Sequence, residues 1–240
     1  MGEIKNLSEL LRVFENQASG RIMHFRGQVR DWSLRPWLAR EGVSEQEREK
    51  EPECFKRLAE ILPNVNDWER ATIAQHYGVP TRLLDWSENP LVGIYFAIED
   101  NKYDNEDGVI WVFEDKTAVA GNVASLRSGS GPRSLNYPRP YRAWKVLQYK
   151  IPRAIAQRGS VTSQPDLSKN FDEQKFDPNT QSLRKFIVPK NTKRQLRKQL
   201  SILGVTEQRL FPDFLDIGNK RPTDLVGVCM RIRCELFRTG

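Results

Sequence analysis

The sequence predicts an α+β fold, with helices mainly in the N-terminal half and a twisted, largely antiparallel sheet. Three observations point there. Apolar residues recur at helical spacing through the first part of the chain, strand-type runs crowd the second part, and the two kinds do not alternate as βαβ units would. With 240 residues, 38% of them hydrophobic and 10% aromatic, the chain can bury a real core, and a single domain over 1–240 is expected.

Leu7, Leu10, Leu11 and Phe14 follow the i, i+3, i+4, i+7 pattern and predict an amphipathic helix from about Asn6 to Gln17. RIMHFRGQ (21–28) reads as a short strand. WSLRPWLAREGVSEQEREKEP (32–52) is charged and broken by proline, the composition of a solvated connection with partial helix. Phe55, Leu58, Ala59 and Leu62 restore helical spacing, and Pro63 stops the run. A further helix, from Asp67 through Tyr77, should end on Gly78 in the left-handed C-cap position, with Pro80 forbidding continuation. TRLLDW (81–86) is a brief extended segment. Asn89 and Pro90 then supply a capping side chain and a first-turn proline, with Leu91, Ile94, Tyr95 and Ile98 as the buried face.

GVIWVFE (108–114) is nearly continuous in apolar residues, as a central strand is. Residues 125–141, rich in Ser, Gly, Pro and Arg, read as a loop. WKVLQYKI (144–151), QRGSVTS (157–163), KFIVP (185–189) and a terminal strand (225–236) complete the sheet candidates. Between the last two, a helix from Asn191 to Leu203 is expected to turn Leu196, Leu200 and Leu203 inward and Lys193, Arg194, Arg197 and Lys198 outward.

The net charge is +7, but residues 1–100 sum to −4 and residues 101–240 to +11, so an acidic partner or nucleic acid would meet the second half. The four cations Lys193, Arg194, Arg197 and Lys198, with the arginine-rich loop from Arg127 to Arg142, are the candidate surface. No RRM, KH or helix-turn-helix signature accompanies them. Cys54, Cys229 and Cys234 lack metal-ligand spacing and His24 and His76 are the two histidines, so neither a structural metal nor a disulfide framework is expected. No apolar run is long enough to span a bilayer and no basic-then-apolar leader opens the chain, which reads as a cytoplasmic protein with no membrane partner.

The richest chemistry lies in AQHYGVPTRLLDWSENPLVGIYFAI (74–98), where His, Tyr, Arg, Asp, Trp and Ser run directly into an apolar helix. A helix N-terminus attracts anions, and a guanidinium grips phosphate with two parallel hydrogen bonds. Each residue also has a plainer reading. Tyr77 and Trp86 suit core anchors, His76 suits a helix C-terminus, and Asp85 with Arg82 suits a structural ion pair. A nuclease built on His76 and Asp85 would lack a second acidic pair.

This stretch resembles the signature of the FRG domain family, on Phe25-Arg26-Gly27, on the block from His76 to Pro90, on Arg153 to Gly159 as R-x-x-x-Q-x-G, and on Leu210-Phe211-Pro212-Asp213. The motif-bearing core is thus about 21–215. More remotely, the order of an Arg-Gly strand, a polar triplet before an apolar helix, and a late Gln-x-Gly strand is similar to ADP-ribosyltransferases. That likeness implies an ADP-ribosyltransferase-like fold and NAD as the substrate, with transfer of ADP-ribose to an acceptor. It implies Arg26, Asp85, Ser87 and Gln157 as catalytic residues. It implies Phe25, Gly27, His76, Tyr77, Thr81, Arg82 and Trp86 as the nucleotide-binding set. Gly159 falls where those enzymes carry Glu, so Asp85 or Glu88 would have to supply the carboxylate. Alternatives are a nucleic-acid-binding module and a nucleotide-binding domain without transfer.

Overall fold

The computed structural model describes residues 2–15, 22–61, 63, 67–76, 78–115, 143–145, 152–164 and 166–212. Within them a seven-stranded sheet runs in the order β1-β7-β4-β2-β3-β6-β5. Its strands are β1 (Gly2–Glu3), β2 (Ile22–Gln28), β3 (Leu83–Ser87), β4 (Gly108–Asp115), β5 (Ala143–Lys145), β6 (Gly159–Ser163) and β7 (Gln181–Val188). β1 lies parallel to β7, and every other neighbouring pair is antiparallel. The α+β class therefore holds. The loop 125–141, positions 146–151 and the terminal strand 225–236 lie outside the described residues.

One face of the sheet carries α1 (Leu7–Glu15), α5 (Pro90–Ile98) and α7 (Lys193–Ile202). Their apolar sides meet Phe25, Ile110, Val112, Phe186 and Val188 in one cluster. The opposite face is aromatic, with Trp86, Trp111, Phe113 and Phe171 packed together. β4 sits between these layers, so Ile110 and Val112 point one way while Val109, Trp111 and Phe113 point the other. Burial on both faces is why its sequence is continuously apolar.

α5 begins as its sequence predicts, with the Asn89 side chain accepting from the Leu91 amide. Its inward residues extend beyond the expected face and include Val92, Gly93 and Ala97. The helix lies so close to β2 that a Cβ on Gly27 would come within 2.0 Å of the Gly93 carbonyl oxygen and 2.5 Å of the Ala97 nitrogen. Gly27 is thus required by helix packing, which neither neighbour can relieve because both are backbone.

α2 (Glu45–Arg48), α3 (Glu51–Ile61) and α4 (Asp67–His76) fill the connection between β2 and β3. α4 stops where expected. Gly78 has φ 82°, and the Val79 amide returns to the Ala74 carbonyl at 2.9 Å.

Several expectations need correction. The segment around 32–52 is solvated, with a short helix, only from about Arg40 onward: before it Leu34 and Leu38 are wholly buried, and Phe171 donates its amide to the Leu34 carbonyl. α1 spans Leu7–Glu15, and Leu11 is exposed. On α7, Leu203 is exposed rather than inward, while Lys193 is buried. Lys193 Nζ donates to the Val29 and Tyr103 carbonyls at 2.7 and 2.8 Å, and Arg197 donates to the Ile98 carbonyl and pairs with Asp104. These two cations cap carbonyls that packing would otherwise leave buried without a partner. Arg194 and Lys198 remain exposed.

Candidate functional site

β2 pairs with β4 from Ile22↔Asp115 to Gln28↔Val109, and β3 pairs with β6 along its whole length. Between themselves, however, β2 and β3 meet among the described residues at the single pair Phe25↔Ser87. Beyond it the two strands part, and a cavity of about 810 Å³ opens between them. Arg26, Gly27 and Gln28 form one wall and Asp85, Trp86 and Ser87 the other. α4 contributes Thr72, Gln75 and His76, α5 contributes Phe96 and Glu99, and the turn of α6 (Pro152–Ala156) contributes Arg153, Ala154 and Gln157.

Arg26 and Asp85 are brought together as the spacing alone could not show. Arg26 Nη1 donates to the Asp85 carbonyl at 2.7 Å, and the Arg26 Nε is buried without a partner. Burial pushes the Arg26 pKa down, with Arg40 adding to the effect and the Asp85 carboxylate opposing it. Asp85 is exposed to the cavity, with protein packed around its carboxyl. That enclosure pushes its carboxyl pKa up, while Arg26, the Gln75 amide, Arg153 and Arg40 pull it down. The Gln75 amide donates to Asp85 Oδ2 at 2.6 Å. Arg153 is held at the wall by Phe211, its guanidinium 4.5 Å from the ring centre.

The remaining expected residues divide. Phe25, Gly27, His76, Trp86, Ser87 and Gln157 line the cavity with Arg26 and Asp85. Phe25 and Trp86 are nonetheless core anchors, each 3% exposed, and Trp86 Nε1 donates to Thr162 Oγ1 at 2.9 Å. The Ser87 hydroxyl donates to the Gln157 carbonyl at 2.6 Å and accepts from the Asn89 amide at 2.9 Å, tying the end of β3 to two neighbours. The Gln157 side chain donates to the Leu210 carbonyl at 3.1 Å. Tyr77 and Asp213 lie outside the described residues.

Thr81 and Arg82 stand outside the lining. Arg82 is neither an anion clamp nor the partner of Asp85. It is buried against Glu51, with Nε and Nη2 at 2.6 and 2.5 Å from Oε2. Glu88 stands 3.8 Å from Arg158, away from the lining set. Gly159 lines the cavity, and a Cβ there would meet Ala154 at an ordinary 3.5 Å, so crowding does not demand glycine.

Sequence reasoning missed Gln75, Arg40, Arg153, Trp32 and Glu99. Two of them carried a signal: Gln75 lies inside the polar stretch, and Arg153 opens the R-x-x-x-Q-x-G motif. Glu99, at the C-terminal end of α5, has its pKa pushed up to about 7 by burial and then by Asp100 and Glu207. Among the described residues no group of three or more His, Cys, Asp or Glu could hold a metal ion. Nor is any described helix long and apolar enough to cross a membrane.

On β2, the buried His24 has Nδ1 2.7 Å from the Oγ of Ser160, itself a lining residue. Burial holds the imidazole pKa down at about 4, against 6.5 in the unfolded chain. Between those values the unfolded state binds the extra proton, so stability is full above pH 6.5 and falls as pH drops toward 4. The full loss is about 3 kcal/mol. Urea unfolding of the wild type at several pH values in this window should show the slope. His24→Gln should flatten it, and a slope unchanged in that variant would assign it to other groups.

The fold and cavity define an α+β protein whose sheet parts to enclose a carboxylate among arginines. Residues 21–106, which hold β2, β3, α5 and the Arg26–Asp85 contact, match the family model of the FRG domain. This supports the resemblance read from Phe25-Arg26-Gly27 and His76–Pro90, and the later landmarks lie outside the matched stretch. No curated protein and no solved structure matches the chain.

Proposed function

We propose that the cavity binds NAD through its diphosphate and that the chain cleaves the nicotinamide–ribose bond, passing ADP-ribose to an acceptor. The observation that carries this reading is the placement of Asp85 beside Arg26, with Arg40 and Arg153 close by, at the parting of β2 and β3. A volume of about 810 Å³ is in the range of cofactor-sized ligand sites. The reaction is a substitution at the anomeric carbon: the bond to nicotinamide breaks with its electron pair, the acceptor's lone pair forms the new bond, and the acceptor's proton goes to a base.

The chain's residues suit these needs in turn. Arg26 lines the cavity with a guanidinium that the Asp85 carbonyl holds through Nη1, and a guanidinium suits a diphosphate. Asp85 faces the cavity and places negative charge where positive charge grows. Glu99, half-protonated near neutrality, suits the base. Ser87 and Gln157 act by fixing the wall, since the Ser87 hydroxyl and the Gln157 amide are already committed to carbonyls.

Calorimetry with NAD, together with nicotinamide release, tests the reading. The wild type should bind and release, and Arg26→Ala should weaken binding roughly 10- to 100-fold, the worth of charge-assisted hydrogen bonds. Binding without release would leave a nucleotide-binding domain and overturn the transfer step. Neither binding nor release would overturn the whole proposal.

A further inference from the structure

We infer that Gln75 and Thr81 are positioning residues for Asp85, linked in a one-way hydrogen-bond chain that aims its carboxylate into the cavity. The inference rests on the reading of Asp85 as the reacting carboxylate. The chain starts at the Leu83 amide, which donates to Thr81 Oγ1 at 3.3 Å. With that lone pair engaged by a donor, the Thr81 hydroxyl directs its own hydrogen to Gln75 Oε1 at 3.2 Å. The Gln75 carbonyl oxygen is thereby held, and its amide nitrogen faces Asp85 Oδ2 at 2.6 Å. Turning the amide over would set two oxygens against each other at that distance.

Local structure explains why residues 75, 81 and 85 converge. α4 ends at His76, and Gly78, with φ 82°, reverses the chain. The Gly78 amide returns to the Gln75 carbonyl at 3.0 Å, which places the following extended segment alongside the last turn of α4. Thr81 and Asp85 both hydrogen-bond the Gln75 side chain, so both turn toward the last turn of α4. Thr81 is 1% exposed and outside the cavity lining, so its hydroxyl reaches a ligand only through Gln75. The other charged groups facing Asp85 are Arg26 from β2, Arg40 from the segment before α2, and Arg153 from α6. Each offers charge, but Gln75 supplies the hydrogen bond that fixes one carboxylate oxygen and leaves the other for the ligand.

The test combines two readouts on the full chain. The Asp85 carboxyl titration is followed by NMR on protein labelled with carbon-13 aspartate, assigned with Asp85→Asn. Nicotinamide release from NAD is followed in parallel. Gln75→Met, which keeps length and volume, should raise the Asp85 titration midpoint and lower kcat roughly 10- to 100-fold, the cost of slight misplacement, with KM little changed. Thr81→Val should move both in the same direction by less, and Thr81→Ser, which keeps the hydroxyl, should restore them. An unmoved midpoint in Gln75→Met, or Thr81→Ser behaving as Thr81→Val, would overturn the inference. The two threonine variants decide it if Gln75→Met fails to fold. Should the wild type release no nicotinamide, the proposed function fails, while the titration still reports on the chain.

Discussion

Glu51→Ala is expected to destabilise the protein by about 3–5 kcal/mol, the cost of removing one partner from a buried ion pair. Glu51 is 2% exposed and Arg82 is 8% exposed. One carboxylate oxygen takes Nε and Nη2 of Arg82, and the other accepts the Arg82 backbone amide at 3.1 Å. Truncation would take the Glu51 carboxylate away from a buried guanidinium and from the Arg82 backbone amide. Burial pushes the Glu51 carboxyl pKa up and Arg82 opposes the shift, so the pair's attraction works against a desolvation cost. Removing both charges should therefore cost less than removing one. Glu51→Leu combined with Arg82→Met is expected to recover part of the loss in urea unfolding. A midpoint for Glu51→Ala equal to that of the wild type would mean that water replaces the carboxylate.

Asp85→Asn is expected to lower nicotinamide release by about 10²–10³-fold, the usual cost of deleting one charge-stabilising group. NAD affinity should hold or rise, because the variant removes a negative charge from a site meant for a diphosphate. Asn keeps an oxygen for the Gln75 amide, so the effect isolates charge from shape. The pH profile follows from the same group. Its carboxyl pKa is raised by burial, so release should fall as pH drops through a midpoint above the ordinary 3.8. Loss of binding with release per bound molecule unchanged would show instead that Asp85 holds the ligand. Measuring both quantities on one preparation separates the two outcomes.

Much of the candidate site was legible because it is local. The polar stretch from Gln75 to Ser87 supplies one wall, and the strand around Arg26 supplies the other. What the stretch does not reveal is which polar groups face the cavity. Thr81 and Arg82 share its composition with Asp85, yet Arg82 turns to Glu51 and Thr81 to Gln75, outside the lining. Arg40 was hidden for a different reason. It lies in a segment whose charge reads as solvated, whereas Leu34 and Leu38 anchor that segment in the core.

By itself, the sequence determined where α5 starts, through Asn89 and Pro90, where α4 stops, through Gly78, and that β4 is central. Those outcomes depend on backbone geometry and periodicity, which neighbouring residues specify. Tertiary structure alone decided that Arg82 pairs with Glu51 and that Gly27 serves the approach of α5. It also decided that Lys193 and Arg197 cap buried carbonyls instead of pointing outward. A charge or a missing side chain takes its role from whatever packing brings within a few ångströms, and that neighbour is often far away in sequence.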